Sequence, residues 1–314
     1  MHPFMTDAQA AMSFAIQQAT RINATVYQRK YGDIRYRGLI FVDTSGPEWL
    51  NSVTYMSVDG VGKAEWFDAN ADDVPHAELL RSKTETTVAL AAMGYGWNTG
   101  ELAHAQMLGI PLANTKAMYA RRASEEMIDR VVFQGDATRG FTGLMNNPLV
   151  TVADAAATGT ASSTLWSAKT VDQINRDING VLTGIYTGTA YTGSADTLLL
   201  PFDRLNYLAD TRLSDSSETT LLAWIQANNV YTRETGRQLT IRSVRGLETA
   251  GQGGTARMVA YRNSEEVVKL HMPMPFRFLP VWQAGPMRFE VPGIFRLGGV
   301  EFMLPKEATY LDGI

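Results

Sequence analysis

The sequence predicts an α+β fold, and three stretches carry that prediction. Residues Ala113 to Phe133 recur with the period of a long helix. Residues 50 to 90 have the β-branched content and turn signals of a long two-stranded excursion. The chain after Val267 is β-like and broken by Pro273, Pro275 and Pro280.

In chain order, Thr6 to Tyr31 reads as an amphipathic helix. Thr6 with Gln9 fits a capping box, and Met12, Ile16, Ala19, Ile22 and Val26 recur at helical spacing. Its thin apolar stripe fits either a helix packed on its own domain or an arm laid on a neighbour. Arg37 to Asp43 reads as a short buried strand that ends before Gly46-Pro47. Asp59-Gly60 is a hairpin-type turn signal, and Asn70 to Pro75 is polar and turn-prone. Thr84 to Met93 reads as the returning strand. An isolated ribbon of two strands is marginal in water, so a long one implies that something covers it.

Helical sequence resumes at Trp97 to Leu102, with Thr99 as the expected cap. In the helix Ala113 to Phe133, residues Ala113, Ala117, Ala120, Met127, Ile128 and Val131 share one face. Arg121/Glu125, Arg122/Glu126 and Glu126/Arg130 have i,i+4 spacing. The helix exits into Phe133-Gln-Gly-Asp-Ala-Thr-Arg-Gly-Phe-Thr-Gly-Leu-Met-Asn-Asn-Pro148, a glycine-punctuated unit. A small-residue stretch, Thr151 to Ser163, marks a junction. Beyond it, a helix over Trp166 to Tyr186, a strand Thr197 to Leu200, helices over Phe202 to Thr211 and Thr219 to Asn228, and strands Leu239 to Val244 and Arg257 to Tyr261 form one compact block. Val267 to His271, Met287 to Val291 and Val300 to Leu304 read as further strands.

Composition excludes several kinds of function. The 314 residues contain no cysteine, so there is no disulfide framework, thiolate metal site or cysteine nucleophile. The net charge of −4 gives no overall basic footprint for tight nucleic-acid binding. The opening Met1 to Asp7 lacks a charged region followed by an apolar core, and no apolar run approaches the roughly 18 residues of a membrane span. A protein made and used in aqueous solution is expected.

Catalytic constellations are missing as well. The four histidines, His2, His76, His104 and His271, lack the i,i+4 spacing of a helical zinc site. No Gly-x-Ser-x-Gly elbow and no Walker-type loop occurs. Gly60-Val-Gly-Lys63 reads as a hairpin turn rather than a phosphate cradle. Gly94 to Gly100 misses the dinucleotide spacing by one residue, and its glycines are expected to let a strand bend into a helix. No cofactor or metal is expected. Arg21, Arg29, Lys30, Arg35 and Arg37 give the N-terminal segment a local positive bias.

The order of these parts is a helical arm, a long ribbon, a long helix ending at Gly135, the unit Gly140-Phe-Thr-Gly-Leu-Met-Asn-Asn-Pro148, a compact block and returning strands. It resembles a tailed-phage major capsid protein with the Hong Kong 97-like fold, specifically a family of prophage capsid proteins. Encapsulin shell proteins share the architecture. The resemblance covers nearly the whole chain and is most specific over Val53 to Pro75, Val88 to Glu101 and Leu112 to Pro148.

That resemblance implies a division of labour. Residues 1–36 would be the N-terminal arm and 50–84 the extended loop. Residues 37–49, 85–148 and 264–314 would form the peripheral domain with its spine helix, and 149–263 the axial domain. Gly135, Gly140, Gly143, Asn146, Asn147 and Pro148 would form the hinge between spine helix and axial domain, and Gly143→Val should hurt assembly if Gly143 has positive φ. Asp59, Gly60, Lys63, Trp66 and Pro75 would contact a neighbouring subunit, and Arg29, Lys30 and Arg35 would face DNA weakly.

The implied function is structural. The chain would self-assemble into hexamers and pentamers of an icosahedral phage head enclosing double-stranded DNA. Portal, scaffolding and decoration proteins would be partners, with no membrane. The start of the chain lies close to the arm, so scaffolding is expected to be separate, cleaved or unnecessary. The implied location is the virion, after synthesis in the bacterial host cytoplasm. The alternative readings are an encapsulin-type nanocompartment shell and an enzyme with an undetected site.

Overall fold

A computed structural model describes residues 32–61, 76, 78–107, 112–214 and 216–314. The expected helix over Thr6 to Tyr31 lies outside the described residues, as do Arg29, Lys30, Lys63, Trp66 and Pro75. Residues Ile34–Ile314 form one unit, which places Tyr36 in the body rather than in an arm: its side chain is fully buried.

The first element is a 3-10 turn, Tyr36–Gly38, followed by the short strand β1, Phe41–Asp43. The expected strand over Arg37 to Asp43 is therefore half turn. Leu39 and Ile40 donate back to the Tyr36 carbonyl, which closes the chain at Gly38 before it can extend. The ribbon follows as β2, Ser52–Val61, and β3, Glu78–Ala92. Their register runs from Ser52↔Thr87 to Val61↔Glu78. The Asp59-Gly60 turn signal is thus overridden, because both residues sit within β2, opposite Leu80 and Leu79. A continuous ladder pairs the facing backbone groups along all ten positions, which outweighs a two-residue turn preference.

Strand β4, Tyr95–Asn98, leads into helix α1, Thr99–Met107. Thr99 is the first helical residue and not the cap. Asn98 takes the cap role, its Oδ1 accepting from the Glu101 N–H at 2.6 Å. The glycines of this segment serve close approach: a Cβ on Gly94 or Gly96 would meet the carbonyl of Val291 or Phe289 at 2.8 Å.

Helix α2, Leu112–Gln134, is roughly 35 Å long. It buries Ala120, Ser124, Ile128, Val131, Val132 and Phe133. Arg122 and Glu126 pair at 3.2 Å as the spacing predicts. Glu125 instead accepts from Tyr36 Oη (2.8 Å) and Arg37 (2.9 Å), which ties the helix to the turn at 36–38.

The remaining elements are β5 (Thr151–Asp154), α3 (Val171–Gly188), β6 (Thr197–Leu200), α4 (Phe202–Asp210), α5 (Leu221–Ala227), α6 (Val230–Thr235), β7 (Thr240–Ser243) and β8 (Arg257–Tyr261). They continue as β9 (Val268–His271), β10 (Met274–Phe278), β11 (Trp282–Gly285), β12 (Arg288–Val291), β13 (Gly293–Gly298), β14 (Val300–Phe302) and β15 (Ala308–Asp312). Helix α3 starts later than expected, because Thr170 and Gln173 make a full capping box. Trp166 sits in a preceding 3-10 turn, fully buried. Ile174, Ile178, Val181, Leu182 and Ile185 of α3 are buried, each contributing roughly 1.5–3 kcal/mol.

Among the described residues the strands form four sheets: β1-β9-β14, β10-β13-β3-β2, β11-β12-β4 and β5-β15-β8-β6-β7. The five-stranded sheet separates two cores. Leu199, Val259, Tyr261 and Tyr310 join α2 and the first core, whereas Leu198, Leu200, Met258, Ala260 and Leu311 join α3 and the second. This alternation is the period of two along each strand. Residues 264–314 therefore do not all return to the first part of the fold: β15 lies in this sheet, between β5 and β8.

Candidate functional site

Two features stand out as candidate sites, the exit from α2 and the root of the ribbon. Where α2 ends, all of its last four carbonyls are satisfied. Gly135 N–H donates to Val131 O (2.8 Å), Leu144 N–H to Val132 O (2.8 Å) and Met145 N–H to Phe133 O (3.1 Å). Asn146 Nδ2 donates to Gln134 O at 2.8 Å. The segment after the helix thus folds back and caps it, a role usually left to water or a Schellman turn.

The glycines make this return geometrically feasible, in two different ways. Gly135 and Gly140 have φ of +72° and +69°. Gly140 closes the turn in which Asp136 and Phe141 exchange backbone hydrogen bonds of 3.0 and 2.9 Å. Gly143 is not in the left-handed region, so the positive-φ condition is not met. A Cβ there would lie 2.5 Å from both Gly135 N and Phe133 O, so its requirement is close backbone contact.

The returning segment is tied in turn to the strands behind it. Gly143 N–H donates to Asn146 Oδ1 (2.7 Å), and Leu149 N–H to Asn147 Oδ1 (3.0 Å). Thr142 exchanges two bonds with Val300, its hydroxyl donating to Val300 O and its carbonyl accepting from Val300 N–H, both at 2.9 Å. Arg257 reaches the Met145 carbonyl at 2.7 Å while clamping Asp312 with Nε and NH2 at 2.6 and 2.7 Å. Its guanidinium lies 4.7 Å from the centre of the Tyr310 ring. Burial pushes the Tyr310 phenol well above its ordinary range, beyond what the Asn147 N–H and Arg257 take back, so the hydroxyl stays protonated and can donate.

Gly135, Gly140, Gly143, Asn146 and Asn147 therefore come together in one hydrogen-bonded clasp, with exposed Pro148 at its end. Arg257, Tyr310 and Asp312 complete it, and none of the three stood out in the sequence. A lone Arg opening the apolar run Arg257 to Tyr261 was the available signal, since a charge there needs a buried partner.

At the second feature, β3 changes partners along its length. Val88–Ala92 pairs with β13, whereas residues 78–87 pair with β2 alone. The ribbon beyond the root is roughly 30–35 Å long. Its described side chains include Met56 and Leu79, which are 69% and 62% exposed. Asp59 and Gly60 lie within it. Arg35 is exposed, and its NH1 donates to the Ser243 carbonyl (2.6 Å) and hydroxyl (3.0 Å).

Among the described residues no group of acidic and histidine side chains is arranged to hold a metal ion, and no helix is long and apolar enough to cross a membrane. His271 is buried against Glu301, while His76 and His104 are exposed.

Residues 62–314 match the family described as Major capsid protein, over most of the chain. The chain belongs to the major capsid protein family. No curated protein matches it in sequence. Among solved structures it is similar to the capsid of Myoviridae phage XM1, at 18% identity and a TM-score of 0.77, over 93% of this chain and 96% of that one. The capsid of an empty GTA particle is similar at 10% identity and a TM-score of 0.63, covering 92% and 93% of the two chains. A structure of Mycobacterium phage Ogopogo is similar at 10% identity and a TM-score of 0.59, covering 94% and 98%.

The capsid protein therefore has the Hong Kong 97-like fold, with mixed helix and sheet. Its role is structural, that of a capsid protein, and not enzymatic. Capsid proteins assemble with copies of themselves into shells.

Proposed function

We propose that this capsid protein assembles into hexamers and pentamers of an icosahedral head that encloses double-stranded DNA, with each ribbon lying across a neighbouring subunit. The ribbon carries this reading. Its ten residue pairs extend past the last contact with β13, on a two-stranded element too thin to bury its own apolar side chains. Covering by a neighbour removes Met56 and Leu79 from water and protects the outer edge of β2. Around a closed ring, many such heterologous contacts add without leaving an open end. The GTA capsid, which is similar in fold, was computed with C5 symmetry, in keeping with pentamers at vertices.

In this reading α2 is the spine helix and the block containing α3 is the axial part, facing the capsomer axis. The clasp over 135–148 is the joint between them. It acts as a rigid corner, since its backbone groups are bonded on both sides. DNA is met through weak, non-specific contacts, and exposed Arg35, its NH1 bonded to Ser243, is one of the side chains that would make them. Portal, scaffolding and decoration proteins are the remaining partners, and synthesis takes place in the host cytoplasm.

The test is a register-matched truncation. Residues 57–82 are replaced by Asn-Gly, joining the paired residues Met56 and Lys83 through a two-residue turn. The parent protein forms shells by electron microscopy, and the truncated protein stays folded by circular dichroism but forms none. Shells of parental yield and heat resistance from the truncated protein overturn the reading.

A further inference from the structure

Two buried ionisable side chains hold the root of the ribbon. Arg296 of β13 donates through NH2 to Asn51 Oδ1 at 2.9 Å and to the Val88 carbonyl at 3.4 Å. Asn51 immediately precedes β2 and itself accepts from Val88 N–H at 2.8 Å. Glu301 of β14 accepts from the Thr86 hydroxyl of β3 at 3.0 Å, and its second oxygen lies 2.9 Å from His271 Nε2. Beside it, the Tyr55 hydroxyl of β2 donates to the Phe302 carbonyl at 3.4 Å. Arg296 and Glu301 are each 5% exposed.

Arg296 is an expensive residue in this position. Its described partners are neutral acceptors and the ring of Trp49, 5.7 Å away, and its Nε has no hydrogen-bond partner. A buried guanidinium without a carboxylate costs stability, and an apolar side chain of similar volume would hold two sheets together at less cost. Hydrogen bonds to fixed atoms do something that apolar contact does not, because they are directional. Both groups act where the ribbon leaves the body: Thr86 pairs with β2, and Val88 is at the end of the β13 ladder. Beyond that point the ribbon is a lever. A tilt of roughly 10° at the root moves its far end by about 5 Å.

We propose that Arg296 and Glu301 are positioning residues for assembly, gripping Asn51 and Thr86 so that the ribbon leaves each subunit at one angle. His271 holds Glu301 in place for this. The grip also joins the ribbon to the clasp, because Glu301 directly follows Val300, which is bonded twice to Thr142. The consequence for shells rests on the ribbon reading above, but the angle itself does not.

The angle can be measured on unassembled subunits. The chain has no cysteine, so spin labels at L79C on the ribbon and M118C on α2, both exposed positions, report a single distance by pulsed electron resonance. The pair T86V and N51L removes the two gripped groups while keeping side-chain size. It broadens the distance distribution and lowers shell yield, whereas T86S with N51D keeps the parental distribution. T86V alone, a loss of one hydroxyl, gives a smaller broadening and serves if the double variant folds poorly. A T86V/N51L or T86V distribution that superposes on the parent overturns the proposal. A broadened distribution with undiminished shells leaves the grip intact and counts against the ribbon's role in assembly.

Discussion

The Tyr310 hydroxyl donates to the Leu144 carbonyl at 2.7 Å and accepts from the Asn147 N–H at 3.2 Å. A phenol near the end of the chain thereby satisfies both kinds of backbone group in the segment that leaves α2. The long helix, the five-stranded sheet and the last strand are locked at one point. Tyr310→Phe leaves a buried carbonyl and a buried N–H without this partner. The expected loss is about 1–3 kcal/mol, read as a lower denaturant midpoint with unchanged slope.

Gly143 and Gly140 separate two reasons for glycine. Gly140→Ala meets no atom within 4 Å and bears only the left-handed backbone cost, about 1–2 kcal/mol. Gly143→Ala drives a methyl group into the backbone of Phe133 and Gly135 and opens the clasp. Equilibrium unfolding of the two variants ranks them, with Gly143→Ala the more damaging. Equal stability would remove close contact as the reason for Gly143.

Arg257 and Asp312 form a buried, two-pronged pair. Arg257→Met strands the Asp312 carboxylate and the Met145 carbonyl, and costs about 3–5 kcal/mol. Adding Asp312→Leu removes the stranded charge and recovers part of the loss. A thermodynamic cycle over the four proteins measures that coupling.

Asp136, in the tight turn of the clasp, has its carboxyl held below the usual range. The Thr138 hydroxyl and N–H, bonded to Oδ1 at 2.6 and 3.0 Å, lower it most. A depressed carboxylate binds fewer protons folded than unfolded. Its contribution is therefore present above the ordinary aspartate value and disappears as the pH falls through the folded value. In Thr138→Ala the Asp136 titration, followed by carbon NMR of the carboxyl, moves up toward the ordinary value. An unchanged midpoint contradicts the assigned cause.

The sequence was most legible where one local rule dominated. The buried strand Thr197–Leu200, the strand Arg257–Tyr261 and helix α2 follow from apolar runs and periodicity alone. It misled where a local signal met a longer ladder, as at Asp59-Gly60 inside β2. Strands β5, β10, β11, β13 and β15 were not read from the sequence, and for β5, β13 and β15 the pairing is non-local: Thr309 of β15 pairs with Thr151, 158 positions away, and with Ala260, 49 away, within one sheet. The clasp was half legible. Its glycines and asparagines punctuate the sequence, but the Arg257, Tyr310 and Asp312 side chains that complete it arrive only through the folded sheet. The buried pair at the ribbon root was not legible at all, since Arg296 lies in a stretch with no strand reading and Glu301 looks like an ordinary polar position in an alternating strand.

The central claim is that the ribbon of one capsid protein lies on another copy. A cryo-electron microscopy map of particles assembled from the purified protein tests it most directly. Closed shells are expected, in which density for Ser52–Val61 and Glu78–Thr87 crosses onto a neighbouring subunit and covers Met56 and Leu79. Shells in which that ribbon touches only its own subunit, or a protein that stays monomeric at every concentration and salt, would contradict it.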